Sequence, residues 1–268
     1  MALSKAILEE GAVLQADEGY ASASAEADLQ YSVLTSLSLE GDATVDTSHG
    51  IATLAQRYHY NSVFINLGEH TLVVSGDKTF GVSRATISGT GTIDILGGAT
   101  VVSTQSYFGN NSTTIADGTL RIREGGKWHL AYYYNNGVAH LTVKNLVLDG
   151  SVTREKDTFT LTVTGSITGN GTTPTLTMGA GAVYKPTGTG YLTITESLSG
   201  TMTIDLSEAK LTMGANMPLF KTGSADILPD ADAIRFVEGT FKDTWKLRKT
   251  SDGCGYDLAC VGFSIIIR

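Results

Sequence analysis

Residues 120–150 read LRIREGGKWHLAYYYNNGVAHLTVKNLVLDG. Leu120 and Ile122 alternate with Arg121 and Arg123, and Gly125-Gly126 follow. The same grammar returns as Leu146-Val147-Leu148-Asp149-Gly150. Alternating apolar and polar residues closed by glycine describe a short strand entering a turn. Its return 26 residues later marks one coil of a repeating structure.

The grammar extends along the chain. Copies begin at Leu37, Ile65, Ile93, Leu120, Leu146, Leu176 and, without the closing glycine, Met202, at steps of 28, 28, 27, 26, 30 and 26 residues. Self-similarity at such a period is the mark of a solenoid. A second series within the coils, Leu72-Val73-Val74-Ser75-Gly76 and Leu161-Thr162-Val163-Thr164-Gly165 among them, predicts two or three short strands per coil. A third series is aromatic: Tyr58, Phe80, Tyr107, Tyr133, Phe159 and Tyr184. It predicts a ladder of rings stacked from coil to coil.

The expected fold is all-β: a right-handed parallel β-helix of about seven to eight coils. A β-sandwich also has many short strands and turns, but it does not account for a period of about 27 residues. Residues 1–32 read as an N-terminal cap or leader, with one short helix over residues 4–10. Residues 33–214 form the repeats. In residues 215–268 the pattern loosens, and this region reads as a C-terminal cap over an otherwise exposed strand edge. Its final Ile265-Ile266-Ile267 then needs a pairing partner.

Composition narrows the function. The 268 residues include 31 Gly and only 4 Pro, and 17% are charged, unlike a helical bundle. Apolar residues reach 41%, more than a disordered chain carries. The net charge of −8 repels phosphate backbones, so no nucleic-acid partner is expected. No run approaches the ~20 apolar residues of a membrane-spanning helix. The first residues lack the basic and apolar regions of a secretory signal. The composition nevertheless points outside the cell, with a signal already removed.

The stretch from Ile65-Asn66-Leu67-Gly68 to Ser75-Gly76, and that from Ile87-Ser88-Gly89 to Gly98-Ala99, resemble repeats of autotransporter-type passenger domains and related large secreted bacterial β-helix proteins. Leu219-Phe220 through Trp245-Lys246-Leu247 is similar to the ends of such repeats. The resemblance covers about residues 33–250. It implies an extracellular or bacterial cell-surface protein, commonly an adhesin or structural spacer, with host or environmental glycans or surface proteins as partners. Those proteins carry a C-terminal membrane barrel, which these residues do not include.

The expected function is therefore non-enzymatic, adhesin-type or spacer. Polysaccharide lyases and hydrolases also use this architecture, and they need clustered acids or carboxylate-held Ca²⁺. Here Asp94, Asp149 and Asp205 occupy similar strand positions in different coils, without a local acid pair. No catalytic residue, metal ligand or cofactor is assigned. No HExxH spacing, nucleophile elbow or phosphate loop occurs.

The third reading is a glycan-binding module. Trp128, His129, Tyr132, Tyr133 and Tyr134 form the densest aromatic cluster. Alternation sends part of it inward, leaving His129 and Tyr133 as weak candidate ligand contacts; surface and ladder positions are the plainer readings. The run Arg154-Glu155-Lys156-Asp157 reads as a solvated loop and a secondary candidate. Cys254 and Cys260 fit either a hairpin disulfide or two reduced buried thiols.

Overall fold

Leu120 and Leu146, near the ends of the opening stretch, are parallel neighbours, with Ile93 on the other side of Leu120. This pairing generates the architecture. The structure is a computed structural model that describes residues 5–15, 36–50, 52–54, 63–104, 111–130, 139–155, 158–211 and 214–261. It is all-β, with a long, mostly parallel sheet consistent with a β-solenoid.

The strand pairings resolve into three ladders. The first runs through Ala6–Leu8, Ser36–Leu39, Val63–Asn66 and Ala85–Ser88, and continues into parts of Asn111–Ile122, Ala139–Leu148, Thr160–Thr168, Thr172–Met178 and Leu192–Ser199. The second begins with Val13–Gln15, Ala43–Asp46, Thr71–Ser75 and Thr92–Ile95. It takes the far ends of three of those longer strands and finishes with Val183–Lys185, Thr203–Ile204 and Arg235–Phe236. The third holds Ala52–Leu54, Thr79–Ser83, Thr100–Thr104, Lys127–Leu130 and Ser151–Arg154. It then takes the starts of Thr172–Met178 and Leu192–Ser199, followed by Asn216–Thr222. Parallel pairing throughout these ladders is incompatible with a β-sandwich, whose strands are antiparallel.

Several long strands serve two ladders by bending. Their register shifts between Ile115 and Thr119, between Val143 and Asn145, and between Thr173 and Thr175. An extra residue at such a bulge turns the chain. Pro174 occupies the last of these bends, a place where a missing N–H costs no ladder bond.

The period-two pattern decides what each strand buries. Leu72, Ile93, Leu120, Leu146, Ile167, Tyr184 and Ile204 form one inward column, and all are buried. Val45, Val74, Ile95, Ile122 and Leu148 form a second buried column. Each full burial contributes about 1.5–3 kcal/mol before entropy is counted. At the corners, glycines permit close stacking. A Cβ on Gly150 would lie 2.3 Å from the Gly126 carbonyl oxygen.

The observed register corrects two expectations. Coil length varies: Leu120 to Leu146 is 26 residues, but Leu146 to Ile167 is 21 and Ile167 to Tyr184 is 17. The sequence copies therefore mix faces, since Ile65 pairs with Ile87 in the first ladder while Ile93 belongs to the second. Corners absorb length differences without altering the buried columns. Among the described residues the second ladder has ten strand segments and the third has eight.

The aromatic ladder is also not a ladder where it is described. Phe80 stands between Ala52 and Val101 in the third ladder, and Tyr184 between Ile167 and Ile204 in the second. A close-packed interior sets bulky rings against smaller neighbours. Tyr58, Tyr107 and Tyr133 lie outside the described residues. Finally, the helix expected over residues 4–10 is replaced by the strand Ala6–Leu8, where Leu8 is buried and Ile7 exposed. Pairing with Ser36–Leu39 outweighs the local helical preference.

Beyond Asn216–Thr222 the direction reverses. Gly255–Cys260 pairs antiparallel with it, and Trp245–Lys249 pairs antiparallel with Gly255–Cys260. The turn between these two strands is organised by Asp252. Its carboxylate accepts bonds from the Thr250 hydroxyl at 2.5 Å, the Lys221 ammonium at 2.9 Å and the Cys254 N–H at 3.1 Å. These partners, the Thr250 and Lys221 bonds foremost, hold its carboxyl well below the usual range. Residues 262–268, with the three isoleucines, lie outside the described residues.

Trp128 is fully buried, and its indole N–H donates to the Ser103 hydroxyl at 2.9 Å. Trp128→Ala is expected to lower stability by roughly 3–5 kcal/mol, while the exposed neighbour change Lys127→Ala stays within about 0.5 kcal/mol; urea unfolding measures both. A depressed carboxyl stabilises above its unfolded pKa of about 3.9 and loses that contribution as pH falls through the folded value. Asp252→Asn should therefore lower the melting temperature at pH 7, and the gap from wild type should close as the pH is taken well below 4.

Candidate functional site

Outward positions of the second ladder carry the most concentrated polar chemistry. Asp94, Arg121 and Val147 are successive members of one outward column. Arg123, Asp149 and Asn170 follow at the adjoining corner. Arg123 N–H donates to the Ile95 carbonyl, Asp149 N–H to the Ile122 carbonyl, and Asn170 N–H to the Asp149 carboxylate at 3.3 Å. Successive coils stand about 4.8 Å apart, so residues distant in sequence become neighbours.

Asp94 anchors this surface. Its side chain is only 5% exposed. Arg123 grips it through two bonds, Nε to Oδ1 at 2.9 Å and Nη2 to Oδ2 at 2.6 Å. Arg121 Nη1 stands 3.7 Å from Oδ2, within ion-pair range but beyond hydrogen-bond length. A bidentate guanidinium–carboxylate pair is strong and directional. The Asp94 hydrogen bonds and charge raise the Arg123 pKa above its ordinary value.

Around this anchor lies an open groove of about 630 Å³, lined by Arg121, Arg123, Glu124, Val147, Asp149 and Asn170. The Asn170 side chain is tied back, with its Oδ1 accepting from the Thr187 hydroxyl and its Nδ2 donating to the Thr189 hydroxyl. The groove thus has a fixed wall, one secured guanidinium, a second guanidinium beside it and two carboxylates.

The residues selected from sequence lie elsewhere. His129 is on the third ladder between buried Trp128 and Leu130, and its side chain is 26% exposed. Nδ1 is 2.8 Å from the Thr153 hydroxyl, and Nε2 is 3.5 Å from Glu155. These contacts fasten His129 to the next coil. Tyr133 and its tyrosine neighbours lie outside the described residues. Trp128 belongs to the core, which removes it from any surface platform.

Arg154 departs from the solvated-loop expectation. It ends the strand Ser151–Arg154, its side chain is 10% exposed, and it is ion-paired with Glu196. Lys156 and Asp157 lie outside the described residues. Asp205 accepts a bond from the Ser207 N–H, which is the foremost cause of its lowered carboxyl pKa, and lies 3.6 Å from Lys185. Asp94, Asp149 and Asp205 do not converge as a triad: Asp94 is committed to arginine, and Asp149 belongs to the corner beyond Val147. Among the described residues, no three His, Cys, Asp or Glu side chains are grouped to hold a metal ion.

Cys254 and Cys260 are free cysteines. Cys254 immediately precedes one continuous extended strand, Gly255–Cys260, and Cys260 ends it, so the two do not face each other across a hairpin. Six extended residues span about 20 Å, whereas a disulfide needs Cα atoms within about 7 Å. The close spacing in sequence is a large separation in space.

Sequence reasoning missed the groove because it read Arg121 and Arg123 only as the polar half of a strand. The available signal was Asp94, 27 residues before Arg121 and on the same strand face. No family model, curated protein or solved structure matches the chain. No helix among the described residues is long and apolar enough to cross a membrane.

Alkylation of the native protein without a reducing agent should add two labels, at Cys254 and Cys260, by intact mass. A mass lighter by both thiol hydrogens, with no labelling until reduction, would show a disulfide and contradict the strand geometry.

Proposed function

We propose that the chain is a secreted or cell-surface module, wound as a right-handed parallel β-helix, that serves as an adhesin-type or structural spacer element. The supporting observation is the continuous stack of in-register strands, ten segments deep on the second ladder. At about 4.8 Å per step it makes a rod of roughly 45 Å. Such a rod holds surface groups at fixed spacing over a long face, which suits display and contact. The right-handed preference of crossovers between parallel strands favours the assigned winding. The resemblance to autotransporter-type passengers agrees in repeat grammar, and glycans or surface proteins are the partners it implies.

A second reading, a polysaccharide lyase or hydrolase, draws on Glu124 and Asp149 sharing one groove. Paired carboxylates are the requirement of glycoside hydrolysis. Against it stands the open groove, which does not enclose a substrate.

The two readings separate experimentally. Fluorescently labelled protein should bind animal or bacterial cells saturably, and incubation with pectin, mucin glycans and glycosaminoglycans should release no product. Accumulating oligosaccharide product would replace the adhesin reading with the enzymatic one. Absence of both binding and product would remove the adhesin role and leave the spacer.

A further inference from the structure

We infer that the groove over the second ladder is a recognition site for a neutral, hydroxyl-rich sugar unit. This deepens the adhesin-type reading by naming a ligand class and a location, and it rests on that reading only for its biological meaning. The site is distinct from the aromatic stretch around Trp128.

Charge selects the ligand class. Five ionisable groups meet there: Arg121, Arg123, Asp94, Glu124 and Asp149. Arg123 is committed to Asp94 by its two-bond grip. What remains is one guanidinium, Arg121, against two carboxylates. A uronate or phosphate would add negative charge where carboxylates already outnumber the available cation, on a chain of net charge −8. A cationic ligand would meet Arg121. A neutral polyol meets neither obstacle, because each hydroxyl both donates and accepts.

Geometry supplies the matching partners. Arg121 makes its only ion-pair contact among the described residues at 3.7 Å, so its N–H groups face the groove with donor capacity to spare. Glu124 and Asp149 are exposed and are acceptors only. Adjacent ring hydroxyls can accept from the guanidinium and donate to a carboxylate together. Val147, half-buried between them, offers an apolar patch for the C–H face of a ring. The groove's volume of about 630 Å³ falls within the usual size range of ligand sites.

The frame is fixed before binding. Buried Asp94 pins Arg123, and Thr187 and Thr189 hold Asn170. Asp149 is steadied by the Asn170 N–H. Groups already in place lose less entropy when a ligand arrives.

The test uses the full chain with neutral hexasaccharides of glucose, mannose and galactose, and with oligogalacturonate and hyaluronan oligosaccharides as acidic counterparts. Calorimetry or a glycan array should detect at least one neutral oligosaccharide. Arg121→Met and Asp149→Asn should each weaken that binding tenfold or more, with melting temperatures near wild type. Lys246→Ala, on an exposed strand elsewhere, should leave it unchanged. Preference for the acidic sugars, with Asp149→Asn strengthening their binding, would overturn the neutral assignment. Absence of binding to any neutral sugar, or neutral binding indifferent to both groove substitutions, would overturn the site. Cell binding by wild type, measured alongside, separates the two levels. Groove failure with cell binding intact sinks only this site, while sugar binding without cell binding sinks only the adhesin reading.

Discussion

A coil of this protein can hydrogen-bond to the next only if both present their strands in parallel and in register, and every other feature answers to that requirement. The unpaired backbone groups on each strand edge are satisfied by the following coil, so no single coil closes its own bonding. Once register is set, side-chain fate is set with it, because a slip of one residue would turn every inward side chain outward. Leu120 can be buried only because Ile93 and Leu146 are buried on either side of it. The glycines serve the same end at the corners. The approach of Gly150 to the Gly126 carbonyl leaves no room for a Cβ.

That dependence explains how far the sequence could be read. Period two is a local property, so strands such as Lys127–Leu130, with Trp128 and Leu130 inward and His129 outward, are legible from four residues. Face assignment is not local. Deciding that Ile65 pairs with Ile87 and Ile93 with Leu72 requires knowing how many residues each corner consumes. The corners follow no fixed count. Near residues 93–146 the steps are 27 and 26, which is why the repeat was visible there; farther on they shorten to 21 and 17 and the count drifts.

The candidate site illustrates the same limit more sharply. Its members are ordinary singly: one arginine on a strand and a second just past its end, an aspartate before a glycine, an asparagine in a bend. Their meeting depends on a vertical relation between coils, and no contiguous motif records it. The aromatic residues around Trp128 are, by contrast, dense in sequence. Density there served the core in the case of Trp128, whose indole is used to bond Ser103. The cysteine pair repeats the lesson, because proximity along an extended strand is separation in space.

The reversal at the end of the third ladder bears on self-association. A solenoid that ended on a parallel strand would offer all its faces, in the same polarity, to the first coil of another copy, and rods could grow end to end. Here Gly255–Cys260 lies antiparallel on Asn216–Thr222, and Trp245–Lys249 extends that edge outward. An incoming coil would find the third face already occupied by a strand running the other way. It could not continue all three ladders at once with the spacing that joins coils within the chain. The third ladder thus ends on a change of polarity that comes from chain direction alone and needs no added charge.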